Sequence, residues 1–191
     1  PSQLAMLRRD LDKYVWVHRL KNDVLDLPPI RKVFPLVDVD LKLFEEAHVE
    51  ANLQIDKWLD GLGYVPGDKE ITEWSSGRIG LVSGMRKAAG VAKVEAATEF
   101  IKDHLATQTG PPFDRPIIVW THHRVVTEAL VEAVGFLGVR VEAIWGDTPS
   151  KDVPAIIDDF QNGQIAVLVA SITAAGVGIT LTRSADALMV E

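Results

Sequence analysis

Cysteine is absent from the 191 residues, so neither a disulfide nor a thiolate metal site is available, which suits an intracellular protein. No stretch has the long uncharged apolar run of a membrane helix and no signal peptide opens the chain, so no membrane partner is expected. Positive charge is in short supply: 20 Lys and Arg stand against 27 Asp and Glu, for a formal net charge of −7. That balance argues against a protein gripping nucleic acid through overall charge. The deficit is uneven, with seven Lys or Arg against four acids in residues 1–33 and five against ten in residues 113–191. Two readings remain, a solvated acidic surface or local contacts through backbone amides, hydroxyls and a few basic side chains. Several chemical signatures are also missing. No Gly-Lys-Ser/Thr phosphate loop, nucleophile-elbow serine or paired catalytic carboxylates can be read, and the five histidines make no metal-ligand pattern. The chain opens on Pro1 rather than Met and reads as a piece of something longer.

What is present is 47% apolar residues, enough for a sizeable core, arranged in two parts. From about Arg115 strands and helices alternate. "PIIVW", "VRVEAIW", "IAVLVA" and "ALMV" are short apolar runs that read as strands. Between the first two, Val125, Val126, Ala129, Leu130, Ala133, Val134 and Leu137 share a helical face that Gly138 ends. Val153, Ile156, Ile157 and Phe160 mark another helix at i, i+3, i+4, i+7, with Pro154 tolerable in its first turn. Repeats of this length imply right-handed crossovers and a parallel sheet covered on both faces, an α/β fold. The first part reads mostly helical. Residues 4–25 are helix-like, and residues 41–60 form an amphipathic helix through Phe44, Ala47, Ala51, Ile55 and Trp58. Two more helices between Arg78 and Leu105 split near Gly90. Residues 30–39 alternate like an edge strand that can join the sheet, with Pro35 on the edge. "ATQTGPPFDRP" reads as a linker.

Three loops at one edge of such a sheet attract attention, because ligands bind beyond the carboxyl ends of its strands. After "PIIVW" come Thr121, His122, His123 and Arg124, at a helix N-terminus where anions are favoured. Adjacent histidines cannot share one helical face, so they make no two-histidine metal site. After the next strand come Gly146, Asp147 and Thr148, turn formers or phosphate contacts. After "IAVLV" comes "ASITAAGVGITLT", in which Gly176 and Gly178 permit close backbone approach and Ser171, Thr173, Thr180 and Thr182 offer hydroxyls. Each also has a plain structural reading, as a crossover turn or a helix cap. Trp16, Trp58 and Trp74 read as packing groups, and Trp120 and Trp145 as core in preference to base-stacking platforms.

Taken together, these segments resemble the second RecA-like lobe of the Swi/Snf-type helicase-like ATPases of helicase superfamily two, on the HARP-like annealing-helicase side of that family. "IIVWTHHRVVTEAL" resembles motif IV, and "IWGDTPSKDVPAIIDDFQNG" the segment after it. "VLVASITAAGVGITLTRSADALMVE" resembles motif V and its trailing strand. Upstream, "HRLKNDVLDLPPIRKVFPLVD" is similar to the junction between lobes, and "MRKAAGVAKVEAATEFIKDHL" to the helices before motif IV. Ala174-Ala175-Gly176 stands where the family usually has Ala-Gly-Gly, as in the HARP-like branch.

The resemblance implies a RecA-like lobe over residues 113–191, ending before motif VI, with residues 1–112 as inter-lobe junction and helical segment. It implies DNA phosphates near Ser171 and Thr173, and a DNA track along Thr121, His122, His123, Arg124, Gly146, Asp147 and Thr148. It places the nucleotide near the backbone of Gly176, Val177 and Gly178. The parent would be an ATP-dependent double-stranded-DNA translocase, with ATP and Mg2+ shared with an N-terminal RecA-like lobe. This chain, lacking a Walker A lysine and motif VI, is expected to be inactive alone and to need no cofactor of its own. Two alternatives stand beside it: a naturally truncated lobe serving as a non-catalytic protein-interaction module, and a small nucleotide- or phosphosugar-binding α/β enzyme.

Overall fold

The computed structural model describes residues 3–14, 29–176 and 178–191. The chain divides into two compact units, residues 1–36 and residues 37–191. In the first unit, helix α1 (Gln3–Tyr14) accounts for the start of the expected 4–25 helix; Trp16 and the remainder lie outside the described residues. The expected strand at 30–39 does not form, and residues 29–41 carry no regular secondary structure. Pro35 has no N–H to contribute to a ladder. Ile30, Phe34 and Leu36 all stand exposed, so the alternation there marks no buried face.

The second unit holds both the helical segment and the sheet. Helices α2 (Lys42–Leu62), α3 (Asp68–Ser76), α4 (Ile79–Ala92) and α5 (Val94–Leu105) come first. Helix α2 packs on α4. The break between α4 and α5 falls at Lys93, three residues beyond Gly90. Trp58 and Trp74 stack with ring centroids 4.7 Å apart and serve as packing groups.

Four parallel strands follow: β1 (Ile117–Thr121), β2 (Val141–Ile144), β3 (Val167–Ser171) and β4 (Asp186–Met189), in the order β2-β3-β1-β4. Val119 sits opposite Val169 on one side and Leu188 on the other. The crossovers are α6 (Arg124–Gly135), α7 (Val153–Gln161) and the single turn α8 (Ile172–Ala175). Successive strand side chains point to opposite faces, and this parity divides the core in two. Val167 and Val169 lie in one cluster with Ile101 of α5 and Val126, Leu130 and Val134 of α6. Leu168 and Ala170 lie in the other with Ile144 and Phe160 of α7. The parallel sheet is therefore covered on both faces, the expected RecA-like arrangement. Val125 departs from its expected face and is 42% exposed. The buried stripe of α6 runs at i, i+4, i+8 through Val126, Leu130 and Val134, and Val125 falls about 100° away from it.

One glycine ties the linker to the sheet. Gly163 adopts φ +72°, its carbonyl accepts the Phe113 N–H at 2.7 Å, and a Cβ there would stand 2.8 Å from the Phe113 carbonyl oxygen. Gly163→Ala is expected to cost at least the roughly 1–2 kcal/mol of a left-handed non-glycine residue, read as a lower urea midpoint at unchanged m-value.

Candidate nucleic-acid interface

Because all four strands run parallel, their carboxyl ends share one edge, and the loops after β1, β2 and β3 meet there. A cleft of about 230 Å³ lies between them, bordered by His122, Arg124, Gly146, Asp147, Ser171 and Thr173, with Thr127 and Trp145. Six of the nine residues expected to meet DNA are thus brought together. The other three are placed differently. Thr121 is fully buried, its Oγ1 2.7 Å from that of Thr127. Strand parity explains this, since Thr121 shares the face of Val119 beneath α6. Thr148 serves its own turn: its hydroxyl accepts the Trp145 N–H at 3.0 Å and donates to the Ala143 carbonyl at 3.3 Å. His123 turns away from the cleft. Its Nδ1 lies 2.6 Å from Glu191 Oε2 and its Nε2 2.8 Å from Ser83 Oγ.

Within the cleft, Arg124 is the cation, and it is already engaged. Its guanidinium donates to Glu128 at 2.9 Å and Asp147 at 2.6 Å and lies 4.8 Å from the centroid of the Trp145 ring. Glu128 and then Asp147 push its pKa further up, so it is charged throughout the working range. Ser171 Oγ and Thr173 Oγ1 lie 2.9 Å apart, a pair of hydroxyls with donor capacity left for an anion. Trp120 packs against the second core cluster as expected, but Trp145 does not join the core. It is half-buried, and it also borders a second cleft of about 450 Å³ with Arg140, Pro149 and Asp152.

Residue type alone did not single out Ser83, Glu128 or Glu191. The Glu191 carboxylate, whose side chain is 2% exposed, accepts the His122 N–H at 3.0 Å and the His123 N–H at 2.7 Å, besides its contact with the His123 ring. Burial pushes its pKa up, but the bonds from His123 and His122 outweigh this and hold it below the usual carboxylate range. A carboxyl with a lowered folded pKa contributes stability that is present above its unfolded value, about 4.3, and is lost as pH falls through the folded one. Glu191→Gln is therefore expected to cost about 1.5–3 kcal/mol at pH 7. The gap between variant and wild type should close in acid below about pH 4, read from urea midpoints across that range.

Near the third loop, a Cβ on Gly176 would run into the Ile172 carbonyl oxygen, so glycine is required there by the turn itself. Gly178 takes φ +83° with nothing within 4 Å of where a Cβ would stand. Val177 lies outside the described residues. Among the described residues no three His, Asp or Glu side chains are grouped to hold a metal ion. No helix among them is long and apolar enough to cross a membrane.

Comparison with known proteins agrees with this architecture. Residues 96–189 match the family described as the helicase conserved C-terminal domain. The chain is 30% identical over 181 residues to the Caenorhabditis elegans homolog of the SWI/SNF-related matrix-associated actin-dependent regulator of chromatin subfamily A-like protein 1, covering 94% of this chain and 24% of that protein. It is 29% identical over 196 residues to the mouse DNA annealing helicase and endonuclease ZRANB3, covering 100% of this chain and 16% of that protein. The chain thus spans a quarter or less of the length of these relatives. In fold it is similar to the C-terminal domain of the Sulfolobus solfataricus SWI2/SNF2 ATPase, with a TM-score of 0.55 at 17% identity over 77% of this chain and 67% of that one.

Proposed function

Because the chain carries a helicase conserved C-terminal domain and belongs with the Swi/Snf-type helicase-like ATPases, we propose that it is the second motor lobe of an ATP-dependent double-stranded-DNA translocase. The observation that carries this reading is the cleft at the sheet's carboxyl edge, where Arg124 and the Ser171–Thr173 hydroxyl pair face the same opening. These groups suit phosphate oxygens, and contacts to the backbone rather than base edges let a motor move without sequence preference. His122, Gly146 and the Asp147 backbone extend the track, while Thr121, His123 and Thr148 support it from beneath. The working protein is placed inside the cell, where its DNA is.

For the nucleotide, the residues present fit one edge of a site. Gly178 has open space beside its backbone, but residues 170–182 contain no Lys or Arg. Phosphoryl transfer needs charge neutralisation at the γ-phosphate, which ATP-bound Mg2+ and basic side chains supply. In this reading those groups come from an N-terminal RecA-like lobe, with residues 1–112 as the junction to it. This chain's part is to present the edge of the nucleotide site and to carry the DNA track as the lobes close.

Fluorescence anisotropy of this chain with two unrelated duplexes tests the reading. Weak binding is expected, equal for both sequences and falling linearly in log–log form with salt, together with no ATP turnover by the chain alone. No binding even at low salt, with a thermal shift given by a mononucleotide instead, would favour a small nucleotide-binding enzyme.

A further inference from the structure

Ser83, His123 and Glu191 come from three separate elements and form a continuous line: Ser83 Oγ to His123 Nε2 at 2.8 Å, then His123 Nδ1 to Glu191 Oε2 at 2.6 Å. A carboxylate only accepts, so Nδ1 carries the proton and, in the neutral ring, Nε2 accepts from the Ser83 hydroxyl. The line has the order of a nucleophile, base and orienting acid, yet its setting is wrong for acyl transfer. Ser83 lies inside helix α4, where the neighbouring N–H groups are consumed by the helix and leave no oxyanion donors. Neither cleft borders it.

What the line does touch is the segment that feeds the DNA cleft. The other oxygen of Glu191 accepts the N–H groups of both His122 and His123, so one carboxylate fixes the backbone immediately before Arg124. Helix α4 is seated against the same point. Gly90, two turns beyond Ser83 on that helix, comes so close that a Cβ would stand 2.8 Å from Val126 Cγ2 and 2.9 Å from Glu191 Oε2. Lys93, at its end, donates to the Val190 carbonyl at 3.0 Å.

We propose that Ser83, His123 and Glu191 form a positioning relay through which helix α4 sets the placement of residues 122–124 on DNA; this rests on the DNA-backbone reading of the cleft. His123 is then the half-buried pivot, with His122 and Arg124 on either side of it directed to the cleft. Its consequence is that a change on α4, away from the cleft, alters DNA affinity without touching a DNA contact.

The test uses the whole chain with Ser83→Ala and Ser83→Thr, the second keeping the hydroxyl. Without DNA, imidazole 15N spectra report the His123 tautomer, and amide exchange reports the His122 and His123 N–H groups. Anisotropy with a random-sequence duplex at low salt reports affinity, and thermal melts confirm folding. Ser83→Ala is expected to speed exchange at both amides, disturb the tautomer and weaken DNA binding roughly two- to tenfold, the worth of one hydrogen bond, with Ser83→Thr restoring all three. An altered His123 spectrum with unchanged affinity would overturn the proposal, leaving a packing contact. Unchanged spectra and affinity would overturn it outright. Wild-type chain that binds no duplex would remove the DNA reading, and the proposal with it, even if the spectra showed the hydrogen-bonded line intact.

Discussion

Phe160→Ala is expected to lower the stability of the unit spanning residues 37–191 by about 3–5 kcal/mol, the usual cost of truncating a buried phenylalanine. The ring has no solvent exposure and packs between α7 and the face of the sheet that carries Ile118, Leu168 and Ala170. Removing it strips apolar burial and leaves a void, because neighbours held by the sheet can relax only partly. Domains of this size have about 5–15 kcal/mol in total, so a fifth or more of the margin goes at once. Phe136 supplies the control. It is 83% exposed, and Phe136→Ala should stay within about 0.5 kcal/mol of wild type. Urea denaturation of both variants at equal m-value checks the pair. A Phe160→Ala loss no larger than that of Phe136→Ala would mean the second core cluster is not packed as described.

The same face shows why most of the sheet could be read from the chain. Strands β1 and β3 are apolar up to their last residue because both of their faces are covered, and the residues of α7 on the second face recur at i, i+3, i+4, i+7. Helix α3 gave no such signal, since it buries nothing. Local contacts outline it instead: Gly67 N–H to Glu70 at 3.0 Å, Tyr64 hydroxyl to the same carboxylate at 2.5 Å, and the Trp58–Trp74 stack. Residues 30–39 erred the other way, with alternation in a segment that takes no regular secondary structure. At the site, residue type and strand-end position located the cleft, but side-chain roles needed more. Strand-end position put Thr121 on the track, whereas its parity with Val119 along β1 turns it inward. No local pattern could find the relay, because its members are 40 and 68 residues apart in sequence.

The interface itself makes the sharpest functional prediction, through two neighbours with opposite effects. Arg124→Ala should weaken duplex binding about fivefold, equally for unrelated sequences, and flatten the log K against log salt slope by about one, as loss of a single phosphate contact requires. Asp147→Asn should do the reverse. Its carboxylate holds the Arg124 guanidinium at 2.6 Å and borders the same cleft. DNA must therefore draw Arg124 away from this partner, and an exposed ion pair resists by only a modest amount. Freed of it, the variant should bind about two- to fivefold more tightly. Combining the two changes decides how Asp147 acts. If it works by holding Arg124, the gain from Asp147→Asn vanishes once Arg124 is alanine; if it simply repels phosphate, the gain persists. Weaker binding by Asp147→Asn alone would mean that Asp147 supports the track, by holding Arg124 in place, rather than restraining it.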